Sequence, residues 1–119
     1  MKKITIQDKF DSFHDHWSPK IIADLNGQQV KVAKLLGDFP WHNHPEEDEM
    51  FWVIHGELEL HFRDQVLTLG AGEAVVVPRG VDHRPVAREE VHVILFEPAS
   101  TLNTGDQVSE RTLHQLERI

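Results

Sequence analysis

Cysteine and tyrosine are both absent from the sequence, and so are long apolar runs. Without cysteine there is neither a disulfide nor a thiolate ligand, so nitrogen and oxygen atoms must hold any metal ion. No run approaches the roughly 20 apolar residues that a membrane-spanning helix needs. The opening stretch MKKITIQDKF also lacks the apolar segment of a signal peptide. We therefore expect a soluble, cytoplasmic protein without a membrane partner.

Basic residues are scarce, since 12 lysines and arginines stand against 20 aspartates and glutamates, for a net charge of −8. The resulting negative field repels a phosphate backbone and an anionic membrane surface. Nucleic acid is therefore not an expected partner. A chain of 119 residues suits one hydrophobic core. We predict a single domain over residues 1–119, with a core barrel at about 20–98.

Long patterns of helical period are missing as well. From Lys20 onwards the chain falls into short β-like runs, namely KIIADL, QQVKVAKLL, EMFWVIH, ELELHF, QVLTL, AVVVP, HRPVA and EVHVILFEP. They amount to about eight strands, the number that a double-sheet jelly roll uses. The ends differ. The aromatic N-terminal segment places Phe10, Phe13, His14 and Trp17 at helical spacing, and SERTLHQLERI forms a short helix or a tail. The expected fold is all-β with short helical or irregular ends.

The run MFWVI is apolar on both strand faces. If Phe51 and Val53 enter the core, then Met50, Trp52 and Ile54 form an apolar stripe on the outer face. Such a stripe needs a cover, either a second subunit or the aromatic N-terminal segment. We favour a homodimer that uses this face and keep intrachain cover as the alternative.

Histidine is abundant, with nine residues, and two of them open the stretch WHNHPEEDE. Residues two apart on a strand project from the same face, so His42 and His44 can converge on one metal ion. Pro45 ends that run. Glu49 has the parity of the core-facing residues of the next strand, and a lone inward carboxylate is costly unless it is paired or metal-bound. The intervening acidic residues 46–48 are interpreted as a solvated loop.

A further ligand is indicated by GEAVVVPRGVDHRPVA, where a strand ends at Pro78, turns through Gly80 and presents His83. Together the two stretches resemble the two sequence motifs of the cupin superfamily. The first motif is filled by Gly37, His42, His44, Glu49 and Gly56, and the second by Gly72, Pro78, Gly80 and His83. Two departures are visible. Four residues instead of five separate Gly37 from His42, and Ala87 replaces the terminal asparagine of the second motif, which puts an outer polar contact in doubt.

The stretches WHNHPEEDEMFWVIHGELEL, VVVPRGVDHRPVA and FEPASTLNTGD resemble the small stand-alone cupins of the type-2 group, often labelled mannose-6-phosphate-isomerase-like. This resemblance implies a double-stranded β-helix, or jelly-roll barrel, that holds one divalent metal ion on three histidines and one glutamate. The implied ligands are His42, His44, Glu49 and His83.

The remaining histidines are assigned other positions. His61 lies on the polar parity of its strand and is predicted to be solvent-exposed, whereas His55 ends a strand at the barrel rim. His92 can face either outward or into the cavity. Those outside the sandwich are interpreted as surface residues: His14, His16 and His114.

The implied ligands suit Fe, Mn, Ni, Co or Zn and leave about two octahedral positions free for a small-molecule ligand. The hypothesis is a mononuclear metalloenzyme, with an oxygenase slightly ahead of an isomerase or lyase; a non-catalytic metal- or metabolite-binding protein is the alternative. No catalytic residue is assigned, because no inward Asp, Lys or Tyr is evident. The candidates to move protons are His92 and a metal-bound hydroxide. Four scattered arginines argue against a sugar-phosphate substrate: Arg63, Arg79, Arg84 and Arg88.

Overall fold

The computed structural model describes residues 1–119 and contains one short helix and seven β-strands. The elements are α1 (Ile6–Asp11), β1 (Lys20–Leu25), β2 (Gln28–Asp38), β3 (Glu49–His55), β4 (Leu58–Phe62), β5 (Val66–Leu69), β6 (Ala74–Val77) and β7 (His83–Pro98). The all-β prediction is confirmed. The predicted count of about eight strands is one too many, because HRPVA and EVHVILFEP form the single strand β7. The C-terminal SERTLHQLERI forms no helix.

The long strand β7 joins the two halves of the structure. All strand pairs are antiparallel, in the order β1-β2-β7-β3-β6, with β4 pairing both β7 and β5. The first residues of β7 pair with β4 and the last with β3, while β2 runs along the other side. Leu35 faces Val91 and Gly37 faces Ala87, so residues 88–90 bulge out of the ladder. Such a bulge bends a strand, which lets β7 serve both sheets.

The β1–β2 hairpin turns at Asn26 and Gly27, which have φ angles of 51° and 80°. Positive φ at both central residues is what a tight two-residue hairpin needs, and an Asn-Gly pair adopts it readily. This turn sets the register of β2, whose inner face carries part of the site described below.

The main core fills the interior between the two sheets. Its buried members come from all strands between β2 and β7: Ala33, Leu35, Phe51, Val53, Leu58, Leu60, Leu69, Val77, Ala87, Val91, Val93 and Leu95. A second, smaller cluster lies outside the barrel, where Phe10 and Phe13 pack on Val32 and Ile94. The N-terminal segment therefore covers the outer face of β2 and β7. Burying a phenylalanine in this way contributes about 1.5–3 kcal/mol.

The outer stripe of β3 is covered only in part by the chain itself. Ile54 packs against the cluster formed by Phe10 and Phe13, but 43% of Trp52 remains exposed. Trp17 does not act as an outer cover, because it packs against the main core and its Nε1 donates to the Leu36 carbonyl at 2.8 Å. Intrachain cover thus applies to one end of the stripe, and the homodimer stays a prediction.

Both terminal segments are tied to β1. The Lys20 side chain is 2% exposed, and its ammonium group lies 2.8 Å from the Asp15 carboxylate and 3.3 Å from that of Glu117. The Ile119 N–H donates to the Ile21 carbonyl at 3.1 Å. Helix α1 is far too short and polar to span a membrane.

Candidate metal centre

The predicted ligands His42, His44, Glu49 and His83 come together at one end of the barrel interior. Glu49 is the first residue of β3 and shares its inner face with Phe51 and Val53, as the parity argument predicts. His83 is the first residue of β7. The prediction that His42 and His44 lie on a strand is wrong, since the connection between β2 and β3 is irregular there. Only His42 makes a β-bridge, and its partner is His83.

The C-terminal segment holds this irregular connection in place. The Asn43 backbone N–H donates to the Asp106 carboxylate at 2.9 Å, and the Asp106 N–H donates back to the Asn43 carbonyl at 2.9 Å. The Asn43 side-chain amide also donates to the Asp82 carboxylate at 2.9 Å. A Cβ at Gly105, where φ is +55°, would collide with the Asn43 backbone. His42 and His44, which flank Asn43, are therefore fixed by the chain rather than by strand geometry.

The four side chains are buried and close to one another. Their candidate donor atoms all lie within 4.8 Å of each other. The Glu49 Oε1 atom is 3.3 Å from His44 Nε2 and 3.4 Å from His83 Nε2. None of the four residues is more than 5% exposed. The site is therefore compact and shielded from bulk water.

Hydrogen bonds fix the tautomers of two of the imidazoles. The Nδ1 atom of His42 lies 2.8 Å from the Pro40 carbonyl, and that of His83 lies 2.9 Å from the Val81 carbonyl. A carbonyl oxygen only accepts, so each Nδ1 carries the proton and donates. Each neutral ring then directs the Nε2 lone pair into the cluster, which is the usual arrangement behind a metal-ligating histidine.

Several buried nitrogens in the cluster lack a hydrogen-bond partner. They are both ring nitrogens of His44 and the Nε2 of His83. Buried polar atoms are almost always hydrogen-bonded, so each exception needs an explanation. A divalent ion at the centre would accept one lone pair from each of these two rings, and imidazole with carboxylate is a donor set for first-row transition metals. The residues present therefore fit a metal ion.

The protonation of the site also suits a cation. Burial and the nearby His83 lower the pKa of His42 to about 4, so its ring is neutral at neutral pH. Burial alone would raise the pKa of Glu49, but its contacts with Glu97, His44 and His83 bring it well below the ordinary value. For His83, burial opposes the charged form, yet the Glu49 carboxylate outweighs it and raises the pKa. The cluster thus attracts positive charge to its centre.

Comparison with known sequences decides the family. The profile of Cupin_2, described as a cupin domain, matches residues 28–97. The chain belongs to the cupin family. Among solved structures, it is similar to a cupin-2 domain containing protein from Shewanella frigidimarina, with 48% identity, a TM-score of 0.79, and coverage of 80% of this chain and 93% of that one. Protein NMB1881 from Neisseria meningitidis is 31% identical to this chain, with a TM-score of 0.76. The match covers 82% of this chain and 100% of the NMB1881 chain.

A curated relative is the uncharacterized protein YdbB of Bacillus subtilis, which is 38% identical over 64 residues. That alignment covers 53% of this chain and 57% of YdbB, so the match spans little more than half of the relative. The names of these three proteins give a domain type or no function, and none of them states a reaction.

The barrel of this cupin also holds two buried ionic residues that the sequence argument missed. Lys31 and Glu97 are 1% and 3% exposed, and the Lys31 Nζ lies 2.8 Å from the Glu97 Oε1. The statement that no inward lysine is evident is therefore wrong. Strand parity contains the signal. Lys31 has the same parity as the inward Ala33, and Glu97 has the same parity as the inward Leu95.

A narrow cavity of about 40 Å³ joins the candidate ligands to this pair. It reaches the cluster through His42 and Glu49. Its other walls are mainly apolar and include Ala33, Leu35, Phe39, Phe51, Val93 and Leu95. No arginine lines it, in agreement with the predicted scatter of the arginines. A small ligand would therefore meet the metal cluster on one side and Lys31 with Glu97 on another.

The other histidines lie away from this cavity. His92 does not line it, because its ring stacks on Phe10 at 4.9 Å on the outer face of the barrel. His61 is less exposed than predicted, with 21% of its side chain accessible and its Nε2 2.9 Å from Glu59. In the acidic loop, Glu46 and Asp48 are exposed and Glu47 is half-buried, as expected of a solvated loop. Asp48 accepts the Arg79 backbone N–H at 2.9 Å, and Glu47 accepts the Ser100 hydroxyl at 2.8 Å.

Proposed function

We propose that this cupin binds one divalent transition metal ion through His42, His44, Glu49 and His83, and that it is a mononuclear metalloenzyme acting on a small organic molecule. The observation that carries the proposal is the convergence of buried, unpartnered imidazole nitrogens on a single carboxylate. A fold alone does not need such a cluster, since burying polar groups without partners is unfavourable.

A metal ion of this class would act as a Lewis acid toward substrate oxygen atoms, and Fe(II) would also supply dioxygen chemistry. The protein would contribute orientation and shielding. The Pro40 and Val81 carbonyls hold His42 and His83 in the tautomer that leaves Nε2 free. Phe39 and Phe51 form part of the apolar wall that limits water in the cavity.

The Lys31–Glu97 pair bears on the type of reaction. The sequence places an oxygenase slightly ahead of an isomerase or lyase, and either class needs a second group that moves protons. Lys31 and Glu97 both line the cavity, so the barrel contains such groups. Proton transfer next to a polarised carbonyl, as in an isomerase or lyase, becomes the favoured reaction class. An oxygenase is the second candidate, because the apolar walls also suit a dioxygen site.

Two assays separate these reaction classes. For proton transfer, the Zn(II)- or Mn(II)-loaded protein is incubated in D₂O with small oxo and hydroxy compounds, and deuterium incorporation is followed by NMR. We expect the Glu97→Gln variant to reduce the incorporation by about a hundredfold or more, the contribution of one general acid–base group. For oxygenation, oxygen uptake by the Fe(II) form is measured with catechols, diketones and thiols. Tight binding of a metabolite with neither reaction would instead support a non-catalytic binding protein.

We also propose that two copies associate through the outer stripe of β3. Trp52 is 43% exposed and Val76, on the neighbouring strand β6, is 54% exposed. Met50 lies half-buried beside them. A two-fold axis at this patch would place the apolar patch of one copy against the same patch of the second copy. Sedimentation velocity should show a dimer that Trp52→Glu converts to a monomer, and a monomeric wild-type protein would contradict the proposal.

A further inference from the structure

Lys31 and Glu97 form a buried ion pair that the packing of the barrel does not require. Lys31 faces Leu95 across the β2–β7 ladder, and Glu97 lies two residues further on the same inner face. Replacing a buried ion pair with apolar residues of similar volume is often neutral or stabilising, because desolvation offsets the attraction. The pair therefore points to a role other than stability.

The pair has unused hydrogen-bonding capacity inside the cavity. An ammonium group has three donors, and the hydrogen bond to Glu97 Oε1 at 2.8 Å is the one that the Lys31 ammonium makes. The Glu97 carboxyl also lies against that of Glu49. Both side chains line the cavity that Glu49 and His42 also line. Lys31 can therefore donate to an oxygen atom of a molecule in this cavity.

The charge balance of the cavity favours an anion. A divalent ion in the cluster, together with the Lys31 ammonium, outweighs the negative charge that Glu49 and Glu97 can carry. The three imidazoles are neutral when they ligate a metal ion. An interior with net positive charge and apolar walls is most easily neutralised by a bound anion, because isolated charge is costly in such surroundings.

The size of the cavity limits the anion. The cavity measures about 40 Å³, several times the roughly 10–15 Å³ that a single water molecule needs. That space suits a molecule of a few carbon atoms. The remaining wall, with Phe39 and Leu95, is apolar and can contact a short carbon chain.

We propose that the cavity binds a small organic carboxylate whose oxygen atoms contact the metal ion and the Lys31 ammonium. This inference rests on the proposed metal function. Lys31 then selects for a negatively charged group, and the metal ion orients the neighbouring oxygen. Glu97 positions Lys31 through the 2.8 Å hydrogen bond.

The test compares lactate with its neutral amide, lactamide, on the Zn(II)-loaded protein by isothermal titration calorimetry. A charge-assisted hydrogen bond corresponds to a preference of about tenfold or more for lactate. We expect the double variant Lys31→Met/Glu97→Gln to lose this preference, since it removes the ammonium without leaving Glu97 buried and unpaired. Should that variant fail to fold, Lys31→Gln serves instead, because it keeps a donor to Glu97 but no charge.

The matched control is Lys34→Met. Lys34 is a buried lysine of the same strand, but it lies on the outer face and its Nζ donates to the Phe13 carbonyl at 2.7 Å. This variant should keep the lactate preference. Equal affinity for lactate and lactamide in the wild-type protein, or a preference retained without the Lys31 ammonium, would overturn the proposal.

Zinc content, measured on every sample, separates this inference from the metal proposal. Full zinc loading without a lactate preference refutes the anion contact and leaves the metal function standing. Failure to bind zinc refutes the metal function. The same titration on that zinc-free protein then tests the Lys31 contact alone, and the contact survives only if the lactate preference is present and depends on Lys31.

Discussion

The inner face of β3 changes character along its length. At its start, Glu49 lies among buried histidines and close to Glu97, whereas Val53, near its end, lies in a wholly apolar part of the core. Leu58 and Leu60, which belong to the same apolar part, are both 0% exposed. The two ends are equally buried but differ in what their burial costs.

This difference indicates which part of the barrel provides stability. Apolar side chains gain free energy when they leave water, at about 25 cal/mol per Å² of buried surface. Ionisable groups lose free energy of hydration when they are buried, and only interactions with partner groups offset that loss. Strong local violations of the apolar pattern are typical of functional sites. The apolar end accordingly stabilises the fold, and the polar end fits the proposed binding role.

The largest expected effect comes from breaking the ion pair at the polar end. Lys31→Met leaves the Glu97 carboxyl without its partner at 3% exposure, and removing one member of a buried pair costs about 3–5 kcal/mol. The double variant Lys31→Met/Glu97→Gln should recover most of that loss. Urea unfolding of the metal-free proteins measures both. Equal destabilisation by the single and double variants would show that the pair contributes through packing instead.

Truncation at the apolar end should lower stability but spare the metal. Leu60→Ala removes a side chain that is 0% exposed, and such core truncations cost about 2–5 kcal/mol. The folded variant should bind as much metal as the wild-type protein. Chemical unfolding and metal analysis of the same preparation check the two outcomes, and a loss of metal from a fully folded sample would show that the two ends are coupled.

Acid should weaken the polar end through His42. The pKa of its ring falls from 6.5 to about 4 on folding, mainly through burial. Between these values the unfolded chain binds a proton that the folded chain does not, so stability falls as the pH drops from 6.5 to about 4. The loss attributable to His42 in the metal-free protein is about 3 kcal/mol.

Comparing the pH dependence of stability with that of His42→Gln isolates this contribution, because the carboxylates and the other histidines titrate in both proteins. The free energy of unfolding of the wild-type protein should decline more steeply than that of the variant over this pH interval. Parallel curves would mean that the His42 ring is not desolvated as the structure indicates.

Much of the fold and site follows from local patterns in the sequence. Alternation within ELELHF and the breaks at glycine and proline predict the strands, and the parity of Glu49 selects it from four neighbouring acidic residues. Non-local features are not visible in this way. The continuity of β7 is hidden by the charged bulge at 88–90, which interrupts the apolar alternation.

The polar residues were harder to place than the apolar ones. Lys31 has inward parity, but a lysine is ordinarily assigned to solvent unless its partner is known, and Glu97 lies 66 residues away. Similarly, His42 and His44 converge because Asn43 is held by Asp106 from the C-terminal segment. Contacts between such distant residues depend on the tertiary structure.

The central claim is tested most directly by the metal content of protein purified without a chelator. Elemental analysis should give about one transition metal ion per chain, and essentially none for His83→Gln. His61→Gln, which replaces a histidine outside the cluster, should retain the metal. A wild-type protein that contains no metal and cannot be reloaded, or a His83→Gln variant that binds metal as well as the wild type, would contradict the account.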